Sequence, residues 1–215
     1  MSERTLLLVL GLGNVLLEDD GVGAAAVALL RDWYEAPPGV SVLDGGTLGL
    51  SLLPYLEGAD AVILVDAVRT DAPPGSFVRL TGEDVAPAVA TRLSAHQVGV
   101  ADLLDGARWL GCYPRRVVLL GLVPASMELR VGLSPSVQPA LPALVERIVE
   151  EGRTLGFVFR HKSTEAPAAM RADGHAKPAA SIGVSSRGGW GPGANEKEAP
   201  AAGWTVDVAR LAGMR

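Results

Sequence analysis

Cysteine is nearly absent from this chain: Cys112 is the only one in 215 residues. One cysteine excludes an intrachain disulfide and any zinc site built on paired thiolates. Histidine is almost as scarce, at positions 96, 161 and 175. The last two fall in a segment whose composition reads as unfolded, so histidine chemistry in the folded part has to use His96. Long apolar runs are missing too, and no stretch approaches the roughly 20 residues of a membrane span. Basic charge is in deficit: a net charge of −5 and a pI near 5.2 argue against nucleic acid as a partner.

What the chain has instead is buried-type composition. Hydrophobic residues make up 48% of it and mean hydropathy is +0.27, enough for one domain with a full core. The apolar start, residues 5–12, lacks a basic leader and runs straight into a glycine turn. It reads as a strand and not as a signal peptide, and a cytoplasmic protein is the expectation.

Residues 6–10 form a continuous apolar run, the pattern of a strand buried on both faces. A helix is predicted over 22–32, a strand over 40–43 ending at Asp44-Gly45-Gly46, a short helix over 48–57 interrupted at Pro54, and a strand over 61–65 ending at Asp66. The next connection, 67–75, is shorter than the dozen residues a parallel crossover needs, so 76–80 is predicted antiparallel. A loop over 81–94, a helix over 97–110, a strand over 117–123 and a helix over 139–155, with Pro142 near its start, complete the pattern. The order β-α-β-α-β-β-α-β-α predicts a three-layer α/β/α sandwich with a mostly parallel, mixed, twisted five-stranded sheet over residues 1–158. Residues 159–215 are rich in Ala, Gly, Pro and Ser and are expected to form a disordered tail.

Gly11-x-Gly13 after a strand resembles the opening of a dinucleotide fingerprint, but Leu16 stands where the third glycine belongs and Glu18-Asp19-Asp20 would repel a pyrophosphate. Helix capping accounts for one acid of that run, not for three. Asp20, Asp44 and Asp66 each follow a predicted strand, and ligands of open α/β sheets bind at that edge. Acids converging there need a cation or a proton to coexist. His96 opens a predicted helix and is expected near the same edge. Two carboxylates and an imidazole make a divalent-metal site that suits zinc, nickel, manganese or iron. Cys112 has no second histidine to activate it, and no Gly-x-Ser-x-Gly elbow occurs, so a water activated by metal or carboxylates is the economical nucleophile.

The block from Val9 through Gly11-Leu12-Gly13-Asn14 and Glu18-Asp19-Asp20 to Gly23 resembles the N-terminal signature of the hydrogenase maturation proteases. Leu43-Asp44-Gly45-Gly46-Thr47, Val65-Asp66-Ala67, Ser94-Ala95-His96-Gln97-Val98-Gly99, Gly121-Leu122-Val123-Pro124 and Leu133-Ser134-Pro135 are similar to its later blocks, in order. The resemblance covers residues 5–155 and implies a phosphorylase/hydrolase-like fold. It implies an endopeptidase that removes the C-terminal extension of a nickel–iron hydrogenase large-subunit precursor after the metal centre is inserted. The family's catalytic and metal-binding acid, acid and histidine fall on Asp20, Asp66 and His96, and Asp44 falls on an acid that supports the site or handles substrate. The metal is expected to be nickel, held by the enzyme or carried in by the substrate, and the protein is expected to be a monomer. A non-cleaving, metal-sensing hydrogenase assembly chaperone is the alternative. Peptidyl-tRNA hydrolases share a Gly-Leu-Gly-Asn start but expect Pro-Gly after it, where this chain has Val15-Leu16.

Overall fold

The structure is a computed structural model and describes residues 6–85 and 98–162. Strand β1 (Leu7–Leu12) is buried at all six positions and β4 (Ala61–Ala67) at all seven. Both lie inside a five-stranded sheet of order β3-β1-β4-β6-β5, with β3 at Val40–Gly46, β5 at Phe77–Thr81 and β6 at Arg116–Leu122. Strands β3, β1, β4 and β6 are parallel. Strand β5 alternates between buried and solvent-facing positions and runs antiparallel to β6 at the edge, as the short connection before it predicts.

The period of two along the strands builds two cores. Leu8, Leu10, Val62, Leu64 and Leu119 point to one face, where they meet Leu56 of α2 (Leu53–Leu56) and Leu103 and Leu104 of α3 (Val98–Trp109). Leu7, Val9, Ile63, Val65 and Leu120 point to the other. There they meet Val22, Ala26, Val27 and Leu30 of α1 (Val22–Trp33) and Leu144, Val145 and Ile148 of α4 (Leu141–Thr154). The result is the three-layer sandwich expected.

Proline placement explains two helix starts. The segment predicted as one helix over 48–57 is a 3₁₀ turn, Gly49–Leu52, leading into α2, with Pro54 in the first helical turn where no amide donor is needed. Pro142 holds the same position in α4, after a 3₁₀ turn at Gln138–Ala140.

A second sheet has no counterpart in the sequence reading. Strand β2 (Tyr34–Glu35) pairs antiparallel with β7 (Arg160–His161), and the Lys162 amide donates to Trp33 O at 2.7 Å. Phe159 is buried among the residues of α1 and α4. His161 therefore belongs to the packed chain, its ring edge-on to Tyr34 at 4.9 Å, and not to an unfolded segment. Packing continues to Lys162, past the boundary expected at 158.

Candidate functional site

Strand β1 ends at Leu12 and the chain turns through Gly13, whose φ of 111° is open only to glycine. A β-carbon there would also lie 1.8 Å from Asp20 O. The following loop closes as a 3₁₀ turn, Glu18–Gly21, and then enters α1. The first turn of α1 is pressed onto two strands: a β-carbon on Gly23 would lie 2.2 Å from Val65 O and 2.3 Å from Leu12 O. Gly11 pairs with Val65 in the sheet. Asp20, three residues before Gly23, and Asp66, one after Val65, therefore share the C-terminal end of the sheet.

Both carboxylates are buried, at 2% exposure each. Asp20 Oδ2 accepts from the Asn14 amide at 2.8 Å, and Asp66 Oδ1 accepts from the Ala67 amide at 2.7 Å. These backbone donors orient the carboxylates. His96 lies outside the described residues. Helix α3 begins two residues after it, and the short connection 110–115 returns the chain to the start of β6, so α3 runs antiparallel to the strands. Its first turn thus sits at the same end of the sheet, on the face to which the alternation of Val62 and Leu64 assigns Asp66.

Asp44 shares the edge but not the face. It pairs with Gly11 across the sheet, is exposed, and follows Val40 and Val42 onto the α1 side. There it borders a groove of about 280 Å³ together with Ala24, Ala25 and Ala28. Its Oδ1 accepts from the Gly46 amide at 3.0 Å. Asp44 and Asp66 therefore lie on opposite faces of one sheet edge.

The acid run has a division of labour that capping does not describe. The N-cap of α1 is Gly21, with no side-chain hydrogen bond. Asp19, fully buried, reaches instead to the segment after β6. Its Oδ2 accepts from the Ala125 amide at 2.8 Å, the Ser126 amide at 3.2 Å and Ser134 Oγ at 2.8 Å, while Oδ1 accepts from the Ser134 amide at 2.7 Å. Glu18 has a positive φ of 45° and is also buried, its carboxylate receiving Arg130 at 3.2 Å. The main chains join as well: Arg130 N donates to Leu16 O at 2.9 Å, and Glu18 N donates to Arg130 O at 2.8 Å. Sequence reasoning missed Asp19, Arg130 and Ser134 as a unit. Leu133-Ser134-Pro135 was the one visible sign, and nothing in it pointed back across more than 100 residues.

Among the described residues, no group of three or more His, Cys, Asp or Glu side chains is arranged to hold a metal ion, and no helix is long and apolar enough to cross a membrane.

A family model described as hydrogenase maturation protease matches residues 25–151. The hydrogenase 2 maturation protease of Escherichia coli K12 is 36% identical over 151 residues, 70% of this chain and 92% of that protein. The hydrogenase expression/formation protein HupD of Rhodobacter capsulatus is 40% identical over 153 residues, 70% of this chain and 72% of its own. Among solved structures, the hydrogenase maturating endopeptidase HybD from E. coli superposes with a TM-score of 0.70 at 34% identity, covering 73% of this chain and 97% of that one.

Proposed function

The chain belongs to the hydrogenase maturation protease family, and on that premise we propose that it is the endopeptidase that removes the C-terminal extension of a nickel–iron hydrogenase large-subunit precursor once the metal centre is in place. The observation that carries this reading is the pair of buried carboxylates, Asp20 and Asp66, at the C-terminal end of the parallel sheet, each held by a backbone amide. Brought together with His96, they form a donor set of two hard oxygens and one imidazole, which fits a divalent ion such as nickel.

Nickel already seated in the precursor is substrate in this scheme. Its recognition by Asp20, Asp66 and His96 seats the scissile bond beside them and makes a loaded metal centre the condition for cutting. When bound at such a site, a divalent ion polarises the scissile carbonyl and acidifies water. The chain's own part is positional. The Asn14 and Ala67 amides prevent the carboxylates from turning away, and Gly13 and Gly23 let backbone approach closely enough to set them at the sheet edge. Asp44, on the opposite face, handles the arriving polypeptide.

The test is cleavage of a purified precursor, with and without nickel, by wild type, His96→Ala and Asp20→Asn, read as a mass decrease of the large subunit. Shortening is expected only with nickel and intact residues, with variant rates down on the order of 100-fold or more. Binding without shortening, with a precursor that cell extract does cut, would reject the protease reading and leave a non-cleaving assembly chaperone.

A further inference from the structure

Two arginines stand beside the acid loop, and only one of them meets a carboxylate among the described residues. Arg130 is paired with Glu18, whereas Arg69 donates from Nη2 to the thioether sulfur of Met127 at 3.2 Å. A thioether is a weak, uncharged acceptor, so this contact positions the guanidinium without neutralising it. Asp66 lies three residues before Arg69 and Asp71 two after, yet neither pairs with it. Residues 86–97 contain no Asp or Glu that could supply a partner.

The backbone under Arg69 is pinned at both ends. Pairing between β4 and β6 runs one bond past the strand, with Val68 N donating to Leu122 O at 2.9 Å. At the far end of the loop, Gly75 N donates to Val123 O at 2.8 Å. Between them Thr70 Oγ1 accepts from the Ala72 amide at 3.1 Å, and Pro73-Pro74 fix the backbone before Gly75.

Alternation sets the direction of the side chain. Val68 packs with Val62 and Leu64 on the α3 side, so Arg69 turns to the α1 side, where Met127 packs. Met127 follows Ser126, whose amide donates to Asp19 Oδ2 at 3.2 Å, and Asp19 adjoins Asp20. The exposed guanidinium thus rests on the segment that clasps the acid loop.

A guanidinium offers a planar fork of donors that matches a carboxylate, and it gives up water more readily than an ammonium does. Elsewhere along this edge Asp20, Asp44 and Asp66 would repel an arriving carboxylate. Attraction at one point and repulsion around it set the position of an acidic group.

We infer that Arg69 receives a carboxylate of the precursor in a two-pronged hydrogen bond and so fixes the register in which the polypeptide crosses the Asp20 edge. This rests on the protease reading for the identity of the polypeptide. The carboxylate is an Asp or Glu side chain of the extension or the chain's own terminal group. The contact acts on binding and not on the chemical step.

The experiment measures the dissociation constant, KM and kcat of the full-length protein, Arg69→Gln and Arg69→Lys with purified nickel-loaded precursor, at low and high salt. Two altered precursors separate the sources. One carries Asn and Gln in place of the Asp and Glu of its extension; the other is lengthened at its C terminus by a Gly-Ser segment. The dissociation constant and KM should rise roughly tenfold in Arg69→Gln, with kcat within about twofold. Arg69→Lys, which keeps the charge and loses the fork, should restore part of the loss. Added salt should weaken wild type and narrow its advantage. One altered precursor should bind wild type as weakly as the normal precursor binds Arg69→Gln, and should be indifferent to that substitution. That precursor names the carboxylate. The same binding pattern without any cleavage would uphold the contact and reject the protease reading. Cleavage with equal binding by wild type and Arg69→Gln would overturn the contact and leave the protease standing. A loss in Arg69→Gln that neither altered precursor reproduces, or no binding of precursor to wild type, would also overturn it.

Discussion

The two ends of the central sheet are built from different chemistry. At the C-terminal end, connections are held by buried carboxylates bonded to backbone amides, with glycines allowing backbone to meet backbone. At the N-terminal end the side-chain ties are exposed pairs: Arg160 with Glu35 at 3.4 Å, and the Tyr34 hydroxyl donating to Glu146 at 2.8 Å. Between them, on the helix layer, Arg79 of β5 grips Glu151 of α4 at 2.8 and 3.0 Å. Exposed pairs contribute little and tolerate change. Buried carboxylates bonded to amides are costly to disturb and hold position. Precision has been placed at one end only, the end that carries the candidate chemistry.

Removing Asp19 should break this contrast most severely. Asp19→Ala leaves three amides and a hydroxyl without their acceptor, and stability should fall on the order of 4 kcal/mol in chemical denaturation, with cleavage lost. Gly23→Ala should cost about 1–3 kcal/mol, because the added carbon must displace the backbone oxygens of Val65 and Leu12; cleavage should suffer beyond the stability loss. Arg79→Ala is expected to cost about 1–2 kcal/mol, since Glu151 stays nearly buried without its partner, while cleavage at 25 °C is unchanged. Arg160→Ala, at an exposed pair, should change stability by less than about 0.5 kcal/mol.

The smallest effect is alkaline. Desolvation first, and then the hydrogen bond and charge of Glu146, push the Tyr34 phenol above its usual 10.0. The folded state therefore holds this proton more tightly than the unfolded chain does. Its contribution is present below pH 10 and is lost as pH rises through the raised value. Tyr34→Phe should remove that slight alkaline slope from a stability titration while leaving cleavage near neutral pH untouched.

The same contrast sets what could be read from residues alone. Buried strands announce themselves: the apolar runs of β1, β4 and β6 and the short connection before β5 predict the sheet and its one antiparallel member. The strand-end rule places Asp20, Asp44 and Asp66 at one edge, but alternation along β3 and β4, with a bulge between Gly11 and Leu12 against β3, puts Asp44 and Asp66 on opposite faces. Strand-end position does not carry that information. Asp19 was illegible because its partners lie 106 and 115 residues away and are mostly backbone amides, which have no residue identity to notice. The β2–β7 pair escaped because two-residue strands have no period. His96 lies outside the described residues, and its assignment rests on the resemblance of its motif.

Those separations also impose an order of events on synthesis. The acids at positions 18–20 leave the ribosome early, yet the amides and hydroxyl that lock Asp19 come from residues 125–134. Contacts so distant along the chain close late, after the local elements exist. A nascent chain halted after β6 would have all five strands of the main sheet and an unlatched acid loop. The acid loop is thus clasped only when more than half of the chain has been translated.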